Sequence, residues 1–472
     1  MASFIAYDLV FLVLFTLAVV IFLYKKRRNL QRQGLLYLYR TRVGIKFIDW
    51  TSLKFPRLLK GLQYVVVFFG YILTIGMVYL LINFSYTYIT SPVAAEALKV
   101  PVIVPLIPYL PEIFNLDFLP PFYFTYWIII IAIIAIPHEF AHGIFARLNK
   151  IKIHSTGFGF LGPFLAAFVE PDEKQMDKIG RFPQMSILAS GTFANVVFGI
   201  IFGLIFWLFF SLAFTPAGVY FNSYASNIIN VSSINSINGI NIANAGEIPG
   251  LINESFNFTE IGIPGQNKSS FVSSSNFKIA LENNAEQIIA ITDSPAFRAR
   301  LSGAIRAIDG VKVTGFNELG AVLKKYKPGD SIIITTIQKN GEIKEQAIKL
   351  EETGGKTFLG IGILQPERKG IMGGIYSLIT KIKDPFTYYQ SSLGDFGFFI
   401  YNLLWWCILI SLSVALVNML PLGIFDGGKF FFLTVWGITG KKRIGEVALK
   451  ISTYLILLLI VALMVRWVFI FI

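Results

Sequence analysis

A single cysteine, Cys407, stands in 472 residues, which excludes an intrachain disulfide framework and any thiolate metal cluster. Metal ligands, if there are any, must be His, Asp or Glu. Histidine is almost as scarce, at three residues, and charged side chains make up only 15% of the chain. With 54% hydrophobic residues and a mean hydropathy of +0.64, the chain is too apolar for a soluble globule. Acidic residues number 28 against 41 basic, giving a net charge of +13. The location of that excess matters more than its size. Eleven Lys/Arg fall between Lys25 and Lys60 against one acid, Asp49, whereas residues 214–395 are nearly balanced, with seventeen basic and sixteen acidic side chains. Positive charge therefore gathers beside apolar runs, which is the positive-inside signature of membrane topology, and a nucleic-acid partner is excluded.

The apolar runs place six spans, at about 3–24, 62–83, 122–147, 184–213, 397–420 and 447–471. The first is longer than a signal-peptide core and lacks a small-residue cleavage site, so it reads as a retained helix. The expected fold class is a polytopic α-helical membrane protein of about six transmembrane helices with an extracytoplasmic β-rich region. Placing Lys25-Lys26-Arg27-Arg28 in the cytoplasm puts the N-terminus and residues 214–396 outside, and returns Lys441-Lys442-Arg443 to the inside. Asn-x-Ser/Thr triplets at Asn83, Asn230, Asn253, Asn257 and Asn267 all fall on the outer side of this scheme.

Two of the three histidines stand together in His138-Glu139-Phe140-Ala141-His142, at the end of the apolar run Tyr123–Ile136. On a helix their imidazoles lie one turn apart on one face, the spacing at which two nitrogens meet one zinc ion, and the adjacent carboxylate is placed to act as a general base. For a chain with 3 His and 17 Glu, chance would produce this pattern in roughly one case in a thousand. His138 lies nine residues before Arg147, hence roughly 14 Å below the cytoplasmic boundary at helical rise. His154, in the polar segment that follows, reads as an ordinary loop histidine.

Catalytic zinc usually keeps three protein ligands and one open position. Asp426 is the candidate for the third, as the only acid between Asp395 and Glu446, in otherwise apolar sequence where a bare carboxylate would be costly to bury. The competing account is a boundary-loop Asp in an Asp-Gly turn.

The region 214–396 contains a repeat: Ile234–Ile242 followed by Glu247-Ile248 aligns without gaps on Ile305–Val313 followed by Glu318-Leu319. Each copy reads as strand, tight Asn-Gly or Asp-Gly turn, strand and helix start. Preceded by Ser294-Pro295-Ala296 and followed by Lys327-Pro328-Gly329-Asp330 and an alternating strand, the second copy resembles a PDZ domain over about 287–352, with a diverged first copy over about 215–290. Such modules add an extended peptide to a sheet edge. Asn253–Asn276, rich in Asn, Ser and Gly, reads as a loop or linker.

The His-Glu-x-x-His helix, the later segment Asn418-Met419-Leu420-Pro421-Leu422-Gly423-Ile424-Phe425-Asp426-Gly427-Gly428, and Ser190-Gly191-Thr192-Phe193-Ala194-Asn195 on the intervening span together resemble the site-2 protease family of intramembrane zinc metalloproteases. Departures are Thr192 where many members carry proline, and Gly423-Ile424 in place of a proline-rich run. The resemblance implies Zn²⁺ held by His138, His142 and Asp426, with Glu139 as general base. Asn195 and Asn418 would orient substrate or stabilise an oxyanion, or simply join helices by hydrogen bonds. Residues 157–170 would form a hairpin that holds substrate as an added strand, or a membrane-dipping loop of no catalytic consequence. The implied organisation is a first helix with its basic segment (1–61), a second helix and outer loop (62–121), the catalytic core in two parts (122–213 and 397–472) and the PDZ-like region (214–396). Implied partners are transmembrane protein substrates, membrane lipid and peptide termini at the PDZ-like modules. Other readings are a membrane zinc protease cutting loops, a PDZ-bearing scaffold without activity, and a metal transporter. The scaffold leaves the metal motif unexplained, and the transporter lacks repeated ligands along a path.

Overall fold

The computed structural model describes residues 2–34, 36–90, 106–116, 119–161, 164–253, 256–265, 269–338, 341–364 and 370–471. The chain divides into two compact units, Met1–Phe209 with Phe398–Ile472, and Phe210–Gly397.

The first unit is built on α1 (Ala2–Lys25), α3 (Pro56–Thr90), α4 (Phe124–Leu148), α5 (Arg181–Ala213), α6 (Gly394–Asn418) and α8 (Lys442–Phe471), each long and apolar enough to cross a bilayer. Two shorter helices join them: α2 (Ile45–Lys54) follows the basic segment, and α7 (Asp426–Thr439) precedes α8. Lipid tails compete with apolar side chains for contact, so helix association rests on close approach and polar bonds. Both occur here. Gly70 of α3 meets Ala189 of α5 and Phe430 of α7 so closely that a Cβ would come within 3.0 Å of each, and Gln63 donates to Ser186 Oγ at 3.0 Å in the buried α3–α5 contact. Around these lies a core of Val66, Val67, Ile187, Ala189, Ala415, Met419, Phe430 and Leu433. A second, aromatic core packs Phe122, Phe124, Tyr126 and Trp127 at the start of α4 against Trp406 and Cys407 of α6.

The basic segment and the loop after α4 form one four-stranded antiparallel sheet, ordered β1 (Leu30–Gln33), β2 (Leu36–Thr41), β3 (Ile153–Leu161) and β4 (Phe164–Pro171). The hairpin expected at residues 157–170 is β3–β4, and its register runs from Leu161 opposite Phe164 to Thr156 opposite Val169. One face carries Val169, which packs with Ile48 of α2 and Ile153. On the other, Glu170 receives both Nε and Nη2 of Arg40 at 2.9 and 2.8 Å and the Ser155 hydroxyl at 2.5 Å. Burial pushes the Glu170 carboxyl up, but the hydroxyl and the guanidinium outweigh it and hold the group below the usual carboxylate range.

The second unit contains two larger sheets. In one, strands run in the order Ser226–Asn230, Gln287–Thr292, Ser270–Ser273, Phe258–Gly262, Ser236–Ile237, Ile240–Asn241. In the other the order is Ile343–Lys349, Ser331–Ile337, Ala304–Ile308, Phe214–Tyr220, Thr387–Ser391, with Val311–Lys312 beside Ala304–Ile308. The repeat is visible in both. Asn238-Gly239 and Asp309-Gly310 turn with φ of 49° and 79°, and of 46° and 78°, the positive pairs that a two-residue type I′ hairpin requires.

Two expectations need correcting. Gln287–Thr292 pairs in the first sheet while Phe214–Tyr220 pairs in the second, so the boundaries 215–290 and 287–352 misassign both strands. A strand far from its partner in sequence carries no local mark of that pairing. Asn253–Asn276 is not a linker: it holds the paired strands Phe258–Gly262 and Ser270–Ser273, whose inward Thr259, Ile261 and Val272 are buried behind polar neighbours that dominate the composition.

Candidate metal centre

Eighteen apolar residues among the 25 of α4 make it a helix despite Pro137, whose ring removes one donor just before His138. One turn separates His138 from His142, and their Nε2 atoms face each other at 3.2 Å. Asp426 reaches the same point from α7. After Asn418 the chain turns tightly, with Phe425 N–H donating to Leu422 O at 2.9 Å and Gly428 N–H to Phe425 O at 3.0 Å. The Asp-Gly-Gly sequence is required there: a Cβ on Gly427 would overlap the Met419 carbonyl, and one on Gly428 the Leu422 carbonyl. Asp426 thus enters the first turn of α7, where the helix dipole favours a carboxylate. Its Oδ2 lies 3.3 Å from His142 Nε2 and 3.7 Å from His138 Nε2.

Helix α5 fixes the far side of both rings. His142 Nδ1 lies 2.7 Å from the Ile187 carbonyl, which only accepts, so Nδ1 carries a proton and, in the neutral ring, Nε2 keeps a lone pair. His138 Nδ1 lies 3.0 Å from the Asn195 side-chain amide, whose oxygen is buried without a partner among the described residues. Turning that amide through 180° gives the oxygen the Nδ1 proton, and His138 Nε2 is likewise left as a lone pair. Between these contacts α5 offers Gly191. A Cβ there would fall 2.7 Å from His138 Nε2 and closer still to His142 Nε2, so the glycine hollows out a space on the open side of the three ligand atoms. Asn418 Nδ2 stands 3.5 Å from His138 Nε2.

These features fit a divalent cation. Two imidazole nitrogens and a carboxylate oxygen lie within 4.8 Å of one another, and in the neutral tautomers just described both nitrogens present lone pairs. Around a tetrahedral zinc ion with bonds of about 2.0–2.1 Å, ligand atoms stand about 3.4 Å apart, close to the three separations found.

Glu139, on the adjacent position of α4, turns to the sheet. Its Oε2 accepts from the Val169 main-chain N–H of β4 at 3.0 Å. The helix is clamped to α2 below: Arg147 Nε and Nη2 bind Asp49 at 2.5 and 3.0 Å, and the missing Cβ of Gly143 admits Ile48, whose Cδ1 would lie 2.8 Å from it. The structure thus brings His138, His142, Asp426, Asn195 and Asn418 to one point. His154 lies on β3, 48% exposed, with Nε2 3.5 Å from Asp172. Thr192 is fully buried and its hydroxyl donates to Ala189 O at 2.8 Å.

Several contributors escaped the sequence reading. Ile187 and Val169 act through main-chain atoms, which leave no side-chain signal. Gly191 lay within a quoted motif with no role attached. Asp8, a lone acid in the first apolar run, did carry a signal: its carboxylate, 2% exposed, accepts from Phe124 N and Thr125 N at the start of α4 at 2.8 and 2.9 Å, and from the Tyr109 and Thr125 hydroxyls at 2.5 Å each.

Comparison with known proteins agrees with this geometry. The profile of Peptidase family M50 matches residues 126–463, more than half of the chain. Two curated relatives are both described as Zinc metalloprotease RasP. The one from Shouchella clausii (strain KSM-K16) is 26% identical over 188 residues, covering 34% of this chain and 44% of the relative. The other, from Geobacillus kaustophilus (strain HTA426), is 24% identical over 184 residues, covering 31% and 42%. The matched region thus spans less than half the length of these relatives. The family match takes in α4, α5, α6 and α7, hence every residue that meets at the ligand cluster, and the chain is a multi-pass membrane member of peptidase family M50, the site-2 protease family.

Proposed function

We propose that this chain is a zinc-dependent intramembrane endopeptidase that hydrolyses peptide bonds within or near transmembrane segments of other membrane proteins. The observation that carries the reading is the meeting of His138 Nε2, His142 Nε2 and Asp426 Oδ2 inside an apolar helix bundle, their rings locked from behind and Gly191 leaving room in front. His138, His142 and Asp426 would hold Zn²⁺, which when bound polarises a peptide carbonyl and makes water a nucleophile near neutral pH.

The remaining steps belong to the protein's own groups. Glu139 takes the proton of the attacking water and returns it to the leaving amine. Asn195 and the Ile187 carbonyl keep both imidazoles in the tautomer that leaves Nε2 free. Asn418 offers an amide N–H to the carbonyl oxygen as negative charge develops. A transmembrane helix shields its own peptide bonds, so the substrate must unwind, and β4 supplies an edge on which the freed segment can lie as an added strand. In this reading the basic segment Lys25–Lys60 is cytoplasmic, and residues 214–396 lie outside as PDZ-like modules that bind peptide termini and restrict access. A scaffold without activity would have no use for the lone-pair geometry of the two imidazoles.

The test is proteolysis of single-span substrates by purified protein, with and without a zinc chelator. Glu139→Gln should lower the rate by about 10²–10⁴-fold while zinc content stays at the wild-type level. Retained cleavage in that variant would remove Glu139 from the mechanism.

A further inference from the structure

The Val169 N–H that Glu139 accepts belongs to the edge strand of a sheet, and the two facts are connected. In an antiparallel ladder a residue directs both its N–H and its C=O to the same side. Val169 spends its N–H on Glu139, so its pairing with Thr156 is the non-hydrogen-bonded kind, and the same phase applies to Ala167 opposite Phe158 and Leu165 opposite Phe160. These three residues therefore turn their main-chain groups away from β3, along the edge of the last strand in the order β1-β2-β3-β4. The end of that row is rigid. Val169 is buried against Ile48 and Ile153, and its neighbour Glu170 is held by Arg40 and Ser155.

Resting on the peptidase reading above, we propose that the Val169 main-chain amide is the positioning group for Glu139 and fixes the cleavage register. A substrate strand that pairs with Leu165 and Ala167 then has its scissile bond beside Val169, next to the base that Val169 holds. Extended backbone is needed on one side of that bond only, the side lying along residues 165–167.

Proline tests this cleanly, because at these outward positions it deletes an N–H without breaking the β3–β4 ladder. Val169→Pro should lower kcat at least tenfold with KM within about twofold and zinc content unchanged, and Val169→Ala, which keeps the N–H, should recover most of that loss. Ala167→Pro should instead raise KM severalfold with kcat largely kept. A Val169→Pro enzyme that keeps its kcat overturns the role of the amide, whereas an unchanged KM in Ala167→Pro overturns strand docking alone. Should Val169→Pro not fold, amide hydrogen exchange decides: Glu139→Ala should speed exchange at Val169 about tenfold or more and leave Ala167 and Leu165 as they were. Unchanged exchange at Val169 refutes the proposal. For the register, a substrate unwound by a Gly-Gly pair on one side of the cut should be cleaved as fast as one unwound on both, and a requirement for both overturns it.

Discussion

Asp8 and Asp426 are each a lone acid in apolar sequence, each at the N-terminal end of a helix, and the molecule treats them in opposite ways. Among the described residues Asp8 meets only donors: two main-chain N–H groups of α4 and two hydroxyls bond to its oxygens. Asp426 meets two imidazole nitrogens, which present lone pairs when each ring is neutral with its proton on the far side, toward Ile187 and Asn195. A carboxylate among donors is finished; one among lone pairs needs a cation. The difference between a structural acid and a candidate ligand lies in the protonation of its neighbours, and neither residue's own sequence context reveals it.

The comparison can be broken at its strongest point first. Asp426→Ala should bring zinc in the purified protein close to background and abolish cleavage, whereas undiminished zinc would mean the third ligand lies elsewhere. Gly191→Ala places a methyl group among the ligand atoms and should also expel the metal, read as zinc per protein by mass spectrometry. Next comes Asn195→Ala, which removes the partner of His138 Nδ1 and should cost about 10–100-fold in zinc affinity or activity, measured by competition with a chelator of known strength. Asp8→Ala should have the smallest functional effect. It uncaps α4 and strands buried donors, costing on the order of 2 kcal/mol, so thermal unfolding in detergent should occur at lower temperature while zinc content persists. Loss of zinc in that variant at a temperature where it remains folded would erase the distinction between the two acids.

Much of this was legible in the chain. The six long helices follow from apolar runs too long for a soluble fold, and His138, His142 and Asp426 followed from the scarcity of their residue types in such surroundings. The hairpin turns at Asn238-Gly239 and Asp309-Gly310 were readable because their positive φ demands those residues. Contacts made by backbone, or across long stretches of sequence, were not. The hairpin Leu30–Thr41 was hidden by the positive charge that dominates its segment, yet it extends the sheet beside Glu139. Phe214–Tyr220 finds its neighbours at Ala304–Ile308 and Thr387–Ser391, pairings that local alternation does not announce. Ile187 and Val169 contribute a carbonyl and an amide that every residue but proline possesses.

The Asp-Gly-Gly turn at residues 426–428 also has a consequence in time. The chain is made from its N-terminus, so both imidazoles enter the bundle long before the carboxylate that completes their set, with the whole unit Phe210–Gly397 synthesised in between. Until α7 folds against α3 and α5, a half-made chain holds two nitrogens and no third ligand. Under the proposed function, a chain still being made therefore cannot cut its neighbours in the membrane before α7 is in place.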